Sequence, residues 1–332
     1  MSVWSRLRRR RSTRAAMFAL LGLVCVAVFA DLLAADQPLL LRLDGTLHVL
    51  PNLKRVQALA LKENAWLRAW MTPDDWAVFP LHERGPASTP ELGELTGPLP
   101  LGPGPGHPLG TDSTGRDVLA RMIHGTRLSL AIGLSASLLA VLVGLVLGLW
   151  SGYRGGRFDA LVTHATELTL NVPVLFLLLA IQGLQPRTTV LSTVLVLGLT
   201  SWPAACRVVR AEARRVAALD YVRAARALGA GHVRIVWRHV LPNAVRPLFV
   251  TATFGVGHAI LLEASLSFLG FGVPEPAASW GRLMADGFQS VLRPEARWMI
   301  LLPGLALFVT MLSLNTLGEA LQEALDPKRR ER

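Results

Sequence analysis

Lysine is almost missing. Lys54, Lys62 and Lys328 are the three in 332 residues, and none stands in a GxxxxGK[ST] context, so the chain brings no P-loop with which to bind ATP. Cysteine is as sparse: Cys25 and Cys206 lie in apolar stretches far apart in sequence, which excludes a disulfide framework. No CxxC, HExxH or GxSxG occurs, which removes the usual sequence warrants for zinc or serine-hydrolase chemistry. Charge is thin too, at 17% of residues against 52% hydrophobic, too apolar for an ordinary soluble protein of this length.

The missing charge is missing in blocks. Residues 15–30, 128–153, 168–186, 188–206 and 298–318 contain no Asp, Glu, Lys or Arg, and most approach the roughly 20 residues that cross a hydrocarbon core. A further run, 247–270, is interrupted only by His258 and Glu263. The reading is an all-α membrane protein with six transmembrane helices, at about 15–33, 128–150, 162–184, 188–205, 247–270 and 298–318. The first could be a signal peptide, since "VFADLLAAD" offers small residues to a peptidase. Its long basic flank and nearly span-length apolar run favour a retained helix.

Basic residues set the topology. With both termini cytoplasmic, segments 1–14, 151–160, 206–246 and 319–332 lie inside and hold 21 basic against 7 acidic residues, whereas the rest holds 13 against 16. The net charge of +11 is thus a topology signal, and no nucleic-acid partner follows from it.

Four regions result: 1–33, a basic N-terminus and first span; 34–126, an extracytoplasmic insert with a Pro/Gly linker and an interfacial helix; 127–318, a core holding the cytoplasmic loop 206–246; and 319–332, a cytoplasmic tail. Within the insert, 53–71 has helical patterning and "GPLPLGPGPGHP" (97–108) cannot continue a helix. Trp66, Trp70 and Trp76 read as small-domain core or interface anchors ahead of a ligand cage. In "HPLGTDSTGRDVLARMIHGTRLSL" (107–130), Thr111 or Asp112 can cap a short amphipathic helix with Arg116, Arg121 and Arg127 on its polar side, either a solvated lead-in to the second span or a gating element. Gly144, Gly148 and Gly152 recur every four residues and place a flat helix-packing strip on one face.

The stretch "YVRAARALGAGHVRIVWRHVLPN" (221–243) is basic, yet sits between spans. Arg207, Arg210 and Arg214 at helical spacing carry the fourth span into the cytoplasm. After Asp220 a short Ala-rich helix runs to Leu228, and Gly229 suits the left-handed conformation that ends a helix. A second helix places Val233, Val236, Trp237, Val240 and Leu241 on one face, and Pro242 ends it. Small Ala224 and Ala225 before the turn let another protein approach the backbone, so the hairpin reads as a docking element.

This stretch resembles the cytoplasmic loop of ABC-importer permeases, E-A-A, three residues, G, nine residues, I-x-L-P. Arg223, Ala224 and Ala225 fall on the first positions, Gly229 on the glycine, and Leu241 and Pro242 on the end. Arg223 replaces the acid and His239 the isoleucine. "AARALG" and "RHVLPN", with "EASLSFLGFGVPEPAASWGRLM" (263–284) and "LNTLGEALQEALDP" (314–327), are similar to the second permease of dipeptide, oligopeptide and nickel importers, over about 107–327. The insert is longer than that family leads one to expect, and His164 and Glu167 stand where the family usually has Arg and Asp.

The resemblance implies a type I importer core of five helices plus the N-terminal one in a bacterial inner membrane. It implies a second homologous permease, two cytosolic P-loop ATPases, an extracytoplasmic solute-binding protein and surrounding lipid. ATP would be used by the partners, with no cofactor or metal on this chain and no bond in the solute broken. Asp220, Tyr221, Arg223, Ala224, Ala225, Leu228, Gly229, His239, Leu241 and Pro242 would form the ATPase-coupling surface. Glu263, about 24 Å along a helix from Pro247, and Glu167 are candidates for a pore or gating role, each weighed against a structural hydrogen bond or a pairing with His164. A self-contained secondary transporter lacks its expected internal repeat here. A membrane-tethered helix-turn-helix regulator would have its recognition helix pressed against the bilayer.

Overall fold

A computed structural model of the chain describes residues 10–43, 45–54, 64–89 and 97–325. In chain order the elements are α1 (Arg11–Val28), α2 (Ala30–Leu33), β1 (Leu40–Leu43), β2 (Thr46–Val49), α3 (Pro51–Lys54), α4 (Asn64–Trp70), β3 (Trp76–Val78), α5 (Val118–Arg154), α6 (Gly156–Asn171), α7 (Val174–Gly183), α8 (Val190–Ala217), α9 (Asp220–Ala227), α10 (His232–Ile235) followed by a π turn over Val236–Val240, α11 (Leu241–Phe268), α12 (Trp280–Gln289) and α13 (Arg297–Leu325). They form two compact units, one around residues 131–266 with the two chain-end helical segments, the other from 21–130 and 267–307.

Five helices among the described residues are long and apolar enough to cross a membrane, and α6 with α7 makes a sixth span if the bent pair is counted as one. The uniform third span expected at 162–184 is therefore corrected: it bends by 89° between α6 and α7. Pro173 is the cause, since it disfavours helical geometry in the residue before it, and Val172 is extended (φ −86, ψ 127). The fourth span continues into a basic helical extension as its arginine spacing foretold, reaching Ala217 without interruption.

In the first unit the glycine strip of α5 lies against α8. A Cβ on Gly144 would stand 2.6 Å from the Ala205 Cβ, and one on Gly148 would stand 2.7 Å from the Cys206 carbonyl and 2.9 Å from the Val209 Cβ. Between helices in lipid, such close backbone approach supplies the packing that a hydrophobic driving force cannot. Below the strip, Leu149, Tyr153, Val209, Ala213 and Val216 form one buried cluster with Val222, Ile235, Val236 and Val240 of the loop.

The second unit corrects two expectations. Its insert holds a three-stranded antiparallel sheet in the order β2-β1-β3, which the helical pattern of 53–71 did not foretell. Leu41 and Leu67 make its small core, while Trp70 and Trp76 are exposed; the side chain of Trp66 lies outside the described residues, as do 55–63.

The separate interfacial helix is also absent. α5 begins at Val118 and continues directly as the second span, because Asp117, not Thr111 or Asp112, accepts the Ala120 N–H at 2.8 Å and caps it. Thr111 instead accepts from the Leu101 N–H at 2.9 Å, and Asp112 organises the turn that precedes the cap through Thr114 and Arg116. The polar side of the helix is not solvated either: Arg121 is completely buried, between Asp112 at 3.4 Å and Asp286 at 3.3 Å.

Candidate functional site

The loop between α8 and α11 is a hairpin whose turn satisfies its own backbone. Gly229 takes φ +82, the Ala230 N–H donates to the Ala225 carbonyl and the Gly229 N–H to the Arg226 carbonyl, each at 3.0 Å. These are the paired bonds that close a helix on a left-handed glycine. At the other end Asp220 stands in the first turn of α9, where a carboxylate suits the positive end of the helix dipole.

The second arm differs from its sequence reading in two ways. Pro242 does not end the helix: α10, the π turn and α11 run on through it to Phe268. A proline ring in a regular helix clashes with the carbonyl four residues back. Here the Leu241 N–H instead reaches the Val236 carbonyl five residues back, and this widened turn accommodates the ring. The apolar residues that the 3.6-residue period put on one face also divide: Val236 and Val240 are buried with Ile235, whereas Val233 and Trp237 are exposed.

The two arms meet: the rings of Tyr221 and His239 lie 5.7 Å apart, and Val222 is wholly buried among Val209, Val216 and Ile235. What faces outward is Asp220, Tyr221, Arg223, Ala224, Leu228 and Gly229, with Ala225, His239 and Leu241 half-buried and Pro242 exposed. Leu228 is 88% exposed and Trp237 65%, so a largely polar hairpin ends in apolar groups that its own chain does not cover.

Glu263 stands far from this surface, 21 residues beyond Pro242 on the same helix, about 30 Å at 1.5 Å per residue, and is completely buried. Glu167 and His164 approach within 3.8 Å, both largely exposed. Glu167 also lines a cavity of about 260 Å³ together with Asn171, Cys206, Arg207 and Arg210.

Sequence reasoning missed Asp159, near the start of α6, which joins that helix to the end of α5 and to α8. Arg210 donates to it from both Nε and Nη2, the latter at 3.0 Å, Arg214 reaches its other side, and the Ser151 hydroxyl donates at 2.6 Å. The available signal was a lone acid in segment 151–160 opposite arginines spaced four apart on α8. The network ties the base of the hairpin to α5 and α6.

In the second unit, Asp117 is flanked by two histidines, His82 Nε2 and His107 Nδ1, each 2.9 Å from one of its oxygens. Burial opposes its charge, but the contact with His82, the Ala120 N–H and the contact with His107 outweigh it and hold the carboxyl below its ordinary range. In the same unit, burial pushes Asp286 up, against the pull of Arg282 and Arg121. Glu275 is held down by Arg116 and Arg282 despite the opposing effect of burial. Among the described residues no cluster of three or more His, Cys, Asp or Glu could hold a metal ion.

Residues 144–331 match the model of a family described as binding-protein-dependent transport system inner membrane component. The chain is 40% identical over 228 residues, 68% of its length and 75% of the relative's, to a protein of Brucella suis biovar 1 (strain 1330) whose name places it as a peptide transport system permease. It is 40% identical over 220 residues, 66% of its length and 72% of the relative's, to the di/tripeptide transport system permease protein of Pseudomonas aeruginosa (strain UCBPP-PA14). Among solved structures, an inward-facing MetNI methionine ABC transporter chain aligns with TM-score 0.45 at 18% identity, covering 60% of this chain and 96% of that one.

Proposed function

This chain belongs to the family of binding-protein-dependent transport system inner membrane components, and we propose that it carries small peptides and is driven through the hairpin at 220–242. It is a multi-pass permease subunit of an ABC importer. The names of its relatives support a peptide as the solute.

One observation carries the coupling role: the outward groups of a hairpin whose inner groups are locked into the transmembrane core. Leu228, Tyr221 and Trp237 are exposed, while Val222, Ile235, Val236 and Val240 are fully or almost fully buried against α8. A partner that grips the exposed groups and moves cannot slide the hairpin alone, because a close-packed interior transmits displacement. It moves α8 and α11 with it.

The partner in this reading is a cytosolic P-loop ATPase, two of which close on ATP, one against this chain and one against a second homologous permease. This chain binds no ATP and no cofactor itself, a solute-binding protein delivers the peptide outside, and both termini are cytoplasmic. ATP closure then becomes an exchange between inward and outward openings of a pore built from two permeases, an equilibrium shifted by differential binding to its two states. Leu228→Asp tests the reading. Affinity-tagged wild-type chain should bring down P-loop ATPases from its host, and the variant, inserted to the same level, should bring down less than a tenth as much. Equal recovery with the variant would take the coupling surface away from the hairpin.

A further inference from the structure

At the inner end of α5, a second cavity of about 260 Å³ is lined by Trp150, Tyr153, Arg154, Arg226 and His232. Its chemistry is unlike that of the neighbouring surface. Several arginines of this unit have carboxylate partners, Arg210 and Arg214 on Asp159 and Arg215 on Glu212. The cavity has no carboxylate in its lining, and among the described residues none pairs with Arg154 or Arg226.

The walls are fixed rather than loose. Tyr153 is 8% exposed, its hydroxyl lies 2.8 Å from His232 Nδ1, and the Arg226 guanidinium stands over its ring, 5.3 Å from the centroid. Two cations and an imidazole thus converge on a preformed space beside two aromatic rings. Trp and Tyr concentrate at the headgroup level of a membrane, and Trp150 and Tyr153 stand in the last two turns of α5, which ends at Arg154. Basic pockets at the cytoplasmic ends of membrane helices are where phosphate-bearing headgroups bind.

We propose that Arg154, Arg226 and His232 hold the phosphate of an anionic phospholipid headgroup from the inner leaflet, with Trp150 and Tyr153 against its glycerol and upper acyl chain. The site would bridge the end of a membrane helix to α9 and α10, so that lipid occupancy stiffens the hairpin on both sides of its turn. It goes beyond the transport reading and needs from it only that this end of α5 is cytoplasmic.

The test is native mass spectrometry of the purified full-length chain after equilibration with phosphatidylglycerol or phosphatidylcholine at equal mole fraction. Wild type should retain phosphatidylglycerol preferentially. Arg154→Gln should lower that retention about fivefold and Arg154→Gln with Arg226→Gln about 25-fold, from the attraction each arginine has for an anionic surface. Arg154→Lys should stay within about twofold, because lysine also binds phosphate.

Equal retention of the two lipids by wild type overturns the site without recourse to any variant, as does undiminished retention by a folded double variant. Excess inorganic phosphate separates the two sources of this chemistry: lipid that stays bound supports the headgroup, and its replacement by phosphate adducts overturns the lipid assignment.

Discussion

Asp159 and Arg210 are joined by a two-point hydrogen bond across 51 residues of sequence, with Nη2 3.0 Å from Oδ2. The pair sets the C-terminal part of α8, from which the hairpin at 220–242 springs, against the start of α6. Two-point arginine–carboxylate contacts fix orientation as well as distance.

Asp159→Asn should therefore loosen the base of the hairpin. Arg210 and Arg214 would lose their common acceptor at a site where the carboxylate is mostly buried, at a cost of about 2 kcal/mol. A lower melting temperature in detergent, with solute uptake reduced at unchanged expression, is the expected result. An unchanged melt would remove the network's structural role.

The glycines separate by environment. Gly148→Ala would drive a methyl against the Cys206 carbonyl and the Val209 side chain, and should destabilise by about 1–3 kcal/mol. Gly304→Ala, within α13 and with open space around the added Cβ, should instead be neutral or stabilise by up to about 1 kcal/mol. Thermal unfolding of the two variants side by side checks the contrast, and equal behaviour would contradict the close α5–α8 approach.

Gly229 is a conformational requirement and not a steric one, since nothing lies within 4 Å of its added Cβ while φ is +82. Gly229→Val should cost about 1–2 kcal/mol locally and abolish transport while membrane insertion persists. Gly229→Asn, which tolerates the left-handed region better, should keep a measurable fraction of uptake. If the valine variant transports normally, the turn is not part of the coupling.

Asp117 gives a pH dependence with a definite sign. Its carboxyl is held below the usual 3.8 in the folded chain, so its contribution is fully present above that value and is lost as pH falls through the folded one. Asp117→Asn should lower stability at pH 7 by about 1 kcal/mol, because asparagine still caps the helix but drops the charge facing His82 and His107. In acid strong enough to protonate this carboxyl in the folded chain, below its usual 3.8, the wild type and the variant should converge. Melting curves at the two pH values that stay parallel would show that Asp117 contributes nothing as an anion.

The sequence by itself determined what rests on local composition: apolar runs long enough to cross a bilayer, and a glycine where a short helix must turn back. Each is a property of consecutive residues, and the hairpin at 220–231 follows from them without reference to the rest of the chain.

Tertiary structure decided what depends on partners far away in sequence. Arg121 looks solvated in its own helix and is buried because Asp112 and Asp286 meet it. Pro242 looks like a terminus and is carried inside a helix because a widened turn absorbs its ring. Asp159 is one acid in a short loop until α8 presents two arginines to it. In each case a locally unfavourable group is retained because a distant one compensates for it, and such compensation exists only once the chain has folded.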